Sequence, residues 1–167
     1  MKRFCLLMLC LCACLSSLSC ADKSSISAEY ILNEILSEVD YKIRSDTSFY
    51  SSLASEGEEK YFSDEQKKAM FGDKRAKECF ALVEEYALYV CPYEIKEIAI
   101  FKCYSNSDTD SVAAMCLERA DALSVALNSI DTLNKDQKAH VEIHGKYVLF
   151  SFADLSESII KRFVSLT

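Results

Sequence analysis

Val83-Glu-Glu-Tyr-Ala-Leu-Tyr-Val-Cys91 and Glu97-Ile-Ala-Ile-Phe-Lys-Cys103, separated by Pro92-Tyr-Glu-Ile95, decide the fold. Both runs are rich in β-branched and aromatic residues, and the short break between them carries a proline, so the stretch reads as a β-hairpin. If Cys91 faces Lys96 across the turn, Lys102 faces Glu85, an opposite-charge cross-strand pair of the kind that sheets favour. The same register puts Cys91 and Cys103 on opposite faces at opposite ends. It therefore argues against a disulfide between them, which needs Cα atoms within about 7 Å.

Side chains alternate across a strand, so this register sorts the hairpin into two faces. Tyr86, Leu88, Val90, Ala99 and Phe101 share one, and Val83, Ala87, Tyr89, Ile98 and Ile100 share the other. Both are apolar. Either helices cover both and make a three-layer core, or part of one face is left as a patch for a protein or peptide partner. The residues expected to line such a patch are Phe49, Tyr50, Tyr86, Leu88 and Phe101.

Outward from the hairpin the chain reads as helices and a second hairpin. Ser27 is an N-cap, with Ile26 and Ile31 placed as a hydrophobic staple and Ile31, Leu32, Ile35 and Val39 at helical spacing. From Lys42 to Glu59 the pattern dissolves into polar residues around Phe49, Tyr50 and Leu53, read as a loop or frayed helix. Ser63-Asp-Glu-Gln66 is a capping box for a short helix that Gly72 can end, and Lys74 to Phe80 adds a turn. Ser107 to Asp110 caps a long helix whose stripe is Val112, Cys116, Leu123, Leu127 and Ile130, with Met115 and Ala126 beside it. Val141 to Phe152 forms a hairpin turning at His144-Gly145-Lys146. Asp154-Leu-Ser-Glu157 is expected to cap a last helix carrying Leu155, Ile159, Phe163 and Leu166.

The order is therefore α, α, β, β, α, β, β, α. It implies an α+β fold: an antiparallel sheet of about four strands in two hairpins, with helices packed on it. Residues 27–167 make one domain, since about 140 residues suit a single core.

The first 19 residues read as a signal peptide, with Lys2 and Arg3 ahead of an uncharged run from Phe4 to Leu15. Ser16, Ser17 and Ser19 arrive too early for a membrane span, which needs about 20 apolar residues. Cys20 stands where a lipoprotein leader places the lipidated residue. Ser19 suits that role, whereas Ser17 departs from the aliphatic residue preferred there. Ser19-Cys20-Ala21 also fits ordinary secretion, but lipidation is the favoured reading, with residues 20–26 a short tether. A diacylglyceryl group supplies two chains, enough for stable anchoring.

The net charge of the whole chain is -7, which argues against nucleic acid as a partner. Beyond the leader four cysteines remain, Cys79, Cys91, Cys103 and Cys116, at spacings that match no zinc pattern. His140 and His144 are the two histidines, and on one strand they sit about 13 Å apart, too far to share a metal. No glycine-rich phosphate loop and no calcium loop is present. The reading assigns no catalytic residue, metal or cofactor.

Glu97-Ile-Ala-Ile-Phe-Lys102, preceded by Glu85-Tyr-Ala-Leu-Tyr89 and followed after a helix by Gly145-Lys-Tyr-Val-Leu-Phe150, resembles the bacterial lipoprotein family known as domain of unknown function forty-three fifty-eight. The resemblance runs from the first helix to the last. It implies export, frequent lipidation and an α+β domain, and brings no catalytic residues with it. The expected function is an exported envelope protein, held at the cell membrane through a lipid on Cys20 and binding a protein or small ligand without catalysis. An exported hydrolase and a structural accessory of an envelope complex are the alternatives, as is free secretion in place of the anchor.

Overall fold

Strand Lys96–Cys103 lies at the centre of the molecule, buried along nearly its whole length. A computed structural model describes residues 26–39, 41, 46–130 and 137–167; the signal peptide, Cys20 and all of the expected tether but Ile26 lie outside them. The strands are β1 (Ser48–Ser51), β2 (Val83–Cys91), β3 (Lys96–Cys103), β4 (Lys138–His144) and β5 (Tyr147–Ala153). They form one five-stranded antiparallel sheet in the order β1-β2-β3-β5-β4. The helices are α1 (Ala28–Glu38), α2 (Asp64–Phe71), α3 (Asp73–Phe80), α4 (Thr109–Asn128) and α5 (Ser156–Leu166).

The first hairpin has the expected register, Cys91 opposite Lys96 and Glu85 opposite Lys102. Pro92–Glu94 make a single 3-10 turn, and Ile95 takes a left-handed conformation at φ 50. A β-branched residue is strained there, and burial of its side chain offsets the cost. Val83 departs from the expected alternation. The register shifts between Val83 and Glu85, and this irregularity turns Val83 to the side of Leu88 and Phe101.

Two cores sandwich the sheet. On one face α2, α3 and α4 cover Leu88, Ala99, Phe101, Val148 and Phe150. On the other, α1 and α5 cover Ala87, Tyr89, Ile98, Ile100 and Leu149, with Ile31, Ile35, Ile159 and Phe163 fully buried between layers. Burying each such side chain contributes about 1.5–3 kcal/mol.

Several local expectations hold in atomic detail. The Ser27 hydroxyl accepts the Tyr30 N–H, and Ser63 and Gln66 form a reciprocal capping box. Others are corrected. The polar stretch after Lys42 contains a fifth strand: β1 pairs with β2 and puts Phe49 against one core and Tyr50 against the other. Ala126 is exposed because it lies off the buried stripe that ends at Leu127, and Ile130 because it lies beyond the end of α4 at Asn128. Asp154 does not cap α5. Leu155 holds the N-cap position without a side-chain bond and is largely exposed, since Asp154 turns its carboxylate elsewhere.

Candidate functional site

The patch expected over Phe49, Tyr50, Tyr86, Leu88 and Phe101 is not a surface. Leu88 and Phe101 are buried in the core, and the other three are partly buried. Phe62, fully buried, stacks on Tyr50 at 4.6 Å between ring centroids and meets Tyr86 and Phe80 edge-on. Phe71 and Phe80 close over Phe101 in the same way. The helices that follow β1 thus cover the face, and burial pushes the Tyr86 phenol up to about 12. On the opposite face Phe49 lies under the Lys60 ammonium, 4.6 Å from the ring centre.

Charged groups inside the fold are engaged with one another. Lys102 is 1% exposed, and its ammonium donates to Glu85 at 2.5 Å and lies 3.3 Å from Glu84. Burial alone would lower its pKa, but the two carboxylates outweigh burial and raise it. Glu97 is chelated by the Arg119 guanidinium, which also donates to the Met70 carbonyl at 3.2 Å and so ties α4 to β3 and to the end of α2. At the far end of the sheet, Tyr41 and Lys96 both donate to Asp154. Lys96 also pairs with Glu94 at 2.9 Å and sits over the Tyr41 ring. A shallow hollow of about 560 Å³ beside Asp154 is lined by Lys138, Leu155, Ser156, Glu157 and Ser158.

The nearest approach to a nucleophile, base and acid is on β4 and β5. His140 lies directly across from Ser151, and its Nε2 is 3.2 Å from the Glu142 carboxylate two residues on. Ser151 carries no signal in the sequence, because the pairing of β4 with β5 brings it opposite His140, whereas Glu142 shares the face of His140 by strand alternation alone. The Ser151 side chain is fully buried, its hydroxyl without a hydrogen-bond partner, so no substrate reaches it in this conformation. His144 stands apart, its Nδ1 2.8 Å from the Thr167 hydroxyl. Among the described residues no group of three His, Cys, Asp or Glu side chains is placed to hold a metal. Cys79, Cys91, Cys103 and Cys116 are free and buried.

The outer edge of β4 is the feature best suited to recognition. Both edges of a sheet invite further strands, and proteins blunt them by shortness, bulges, proline or charge. The β1 edge is four residues long. β4 runs for seven residues in unbroken register with β5 and holds no proline. Among the described residues β5 is its only neighbour in the sheet. Ile143 on this strand is 40% exposed, and α4 packs on β4.

Comparison with known proteins finds no family model that matches the chain, and no curated protein or solved structure significantly similar to it.

Proposed function

We propose that this is an exported protein, anchored to the membrane through a lipid on Cys20, whose domain works by adding a protein strand to the outer edge of β4. The carrying observation is that this edge runs for seven residues without a bulge or a proline and, among the described residues, has no strand on its outer side. The leader and the strand signatures resembling an exported lipoprotein family support the address. A role as an accessory of a larger envelope assembly is a special case of the same docking.

The anchor is tested by the intact mass of the protein from its native membrane fraction: a start at Cys20 carrying lipid is expected, and an unmodified start at Ala21 or Asp22 makes the protein a secreted one. Docking is tested by a photo-reactive side chain in place of Ala139. A cross-linked product that disappears with Val141→Pro is expected, because proline removes a backbone donor at the strand edge. No product in the intact envelope sinks the reading.

A second reading, an exported hydrolase, draws on the shared face of His140, Glu142 and Ser151. Ester or peptide hydrolysis abolished by both His140→Ala and Ser151→Ala would establish it.

A further inference from the structure

We infer that the strand added to β4 is β4 of a second copy of this chain, paired antiparallel about a two-fold axis through Val141. The inference rests on the strand-addition reading and names its occupant. Gly145 and Lys146 form a two-residue loop between β4 and β5, with Gly145 at φ 58. In such hairpins the closing pair, here His144 and Tyr147, exchanges backbone hydrogen bonds. Counting back in twos, His144, Glu142, His140 and Lys138 turn their backbone groups toward β5. Ile143, Val141 and Ala139 turn theirs outward.

An incoming antiparallel strand must offer outward groups to meet these. A second β4 therefore pairs odd positions with odd and even with even. Centred on Val141, the pairing uses all seven residues of the strand. Val141 meets Val141, Ala139 meets Ile143, and His140 meets Glu142 twice. The His140 and Glu142 positions are then non-hydrogen-bonded pairs, in which side chains come closest, with Cα atoms about 4.5 Å apart. Each histidine already touches the glutamate of its own strand at 3.2 Å, so the dimer joins two such pairs into one cluster of four. Centring on Glu142 instead sets Glu142 against Glu142 and His140 against His144, and centring on His140 leaves Ile143 and His144 without strand partners. Of the three registers, the one centred on Val141 alone pairs the whole strand and sets each His140 against a carboxylate, with Lys138 facing His144 at the two ends.

Cysteine variants in the full chain, expressed and kept in the bacterial envelope, test the register. Copper-phenanthroline with oxygen accepts the two electrons and two protons released as a pair of thiols joins, and the unsubstituted chain sets the background from native thiols. Val141→Cys is expected to give a disulfide-linked dimer, since its two copies lie about 5.5 Å apart at Cα. Ala139→Cys and Ile143→Cys are expected to give none singly, at about 13 Å, but a mixed dimer when co-expressed. His140→Cys co-expressed with Glu142→Cys repeats the test without touching the core contact of Val141. Cross-linking that ignores this pattern, or no dimer from either test, overturns the inference. If the photo-reactive Ala139 variant then captures a different chain, strand addition stands and the second copy falls; if it captures nothing, both fall.

Discussion

The Glu85 carboxylate joins Lys102 to the start of a helix: Oε1 accepts from the Lys102 ammonium at 2.5 Å and Oε2 from the Ala28 backbone N–H at 3.1 Å. One side chain thus pairs a buried cation across the hairpin and satisfies a free donor in the first turn of α1. Glu85→Ala leaves Lys102 buried with only the more exposed Glu84 for company, and should cost about 3 kcal/mol or more. Lys102→Met combined with Glu85→Gln should recover most of that loss, because the amide oxygen can still accept from Ala28. Urea unfolding of the two variants checks both values.

Asp154, just past β5, accepts from both Tyr41 and Lys96. Burial raises its pKa, but hydrogen bonds from Tyr41 and Lys96 outweigh burial and hold the carboxyl below its ordinary value. A carboxylate depressed in the folded state stabilises fully above its unfolded pKa of about 3.9 and loses that stabilisation as pH falls through the folded value. Unfolding followed by circular dichroism should therefore show stability falling below about pH 4. Asp154→Asn should flatten that acid limb while lowering stability at neutral pH.

At high pH the sign reverses. Lys102 and Lys96 have raised pKa values in the fold, so their contribution is complete below about pH 10.4 and is lost as pH rises through the folded values. The Tyr86 phenol, pushed up to about 12 by burial, adds to the same loss. An alkaline limb beginning above about pH 10 is expected, and it should be shallower in the Lys102→Met, Glu85→Gln double variant.

The domain thiols should be inert until the protein unfolds. Burial pushes Cys103 up to about 11 and raises Cys79 and Cys116 as well, while Cys91 is closed off in the opposite core. Thiolate is the reactive form, so iodoacetamide at neutral pH should leave Cys79, Cys91, Cys103 and Cys116 unmodified and label all four in denaturant. Mass spectrometry counts the labels, and rapid labelling of the folded protein would contradict the packing.

Phe62 is the hub of the aromatic cluster beneath β1, between Tyr50, Phe80 and Tyr86. Phe62→Ala should cost about 3–5 kcal/mol. Because Tyr50 loses its stacking partner, hydrogen exchange should rise first at Ser48–Ser51. Phe62→Leu should cost far less and leave β1 protected.

Local pattern carried much of this fold. The apolar runs around Pro92 specified the hairpin and its pairing, Ser27 and Ser63 announced their helices, and Gly145 marked the second turn, because each signal lies within a few residues of its effect. Where a partner lies far away in the chain, local pattern is silent or misleading. Ser48-Phe-Tyr-Ser51 is too short and polar-flanked to show a period; it becomes a strand because β2 pairs with it and the Ser51 hydroxyl bonds Glu29 of α1 at 2.7 Å. Asp154 looked like a cap, but Tyr41 and Lys96, distant in sequence, claimed its carboxylate. Strand alternation puts Leu88 and Phe101 on one apolar face, yet whether that face meets water depends on the helices and on Phe62 beneath β1.

The α+β class, the central hairpin with its Glu85–Lys102 register and the starts of α1 and α2 follow from local pattern. Alternation, capping and turn chemistry are local properties of the chain. That both sheet faces are covered, and that β4 stands at the outer edge beyond β5, follows only from the packed chain. So does the placing of Ser151 opposite His140. Those outcomes depend on which distant segments compete for the same apolar surface and backbone partners, and that competition is resolved only when the whole chain packs.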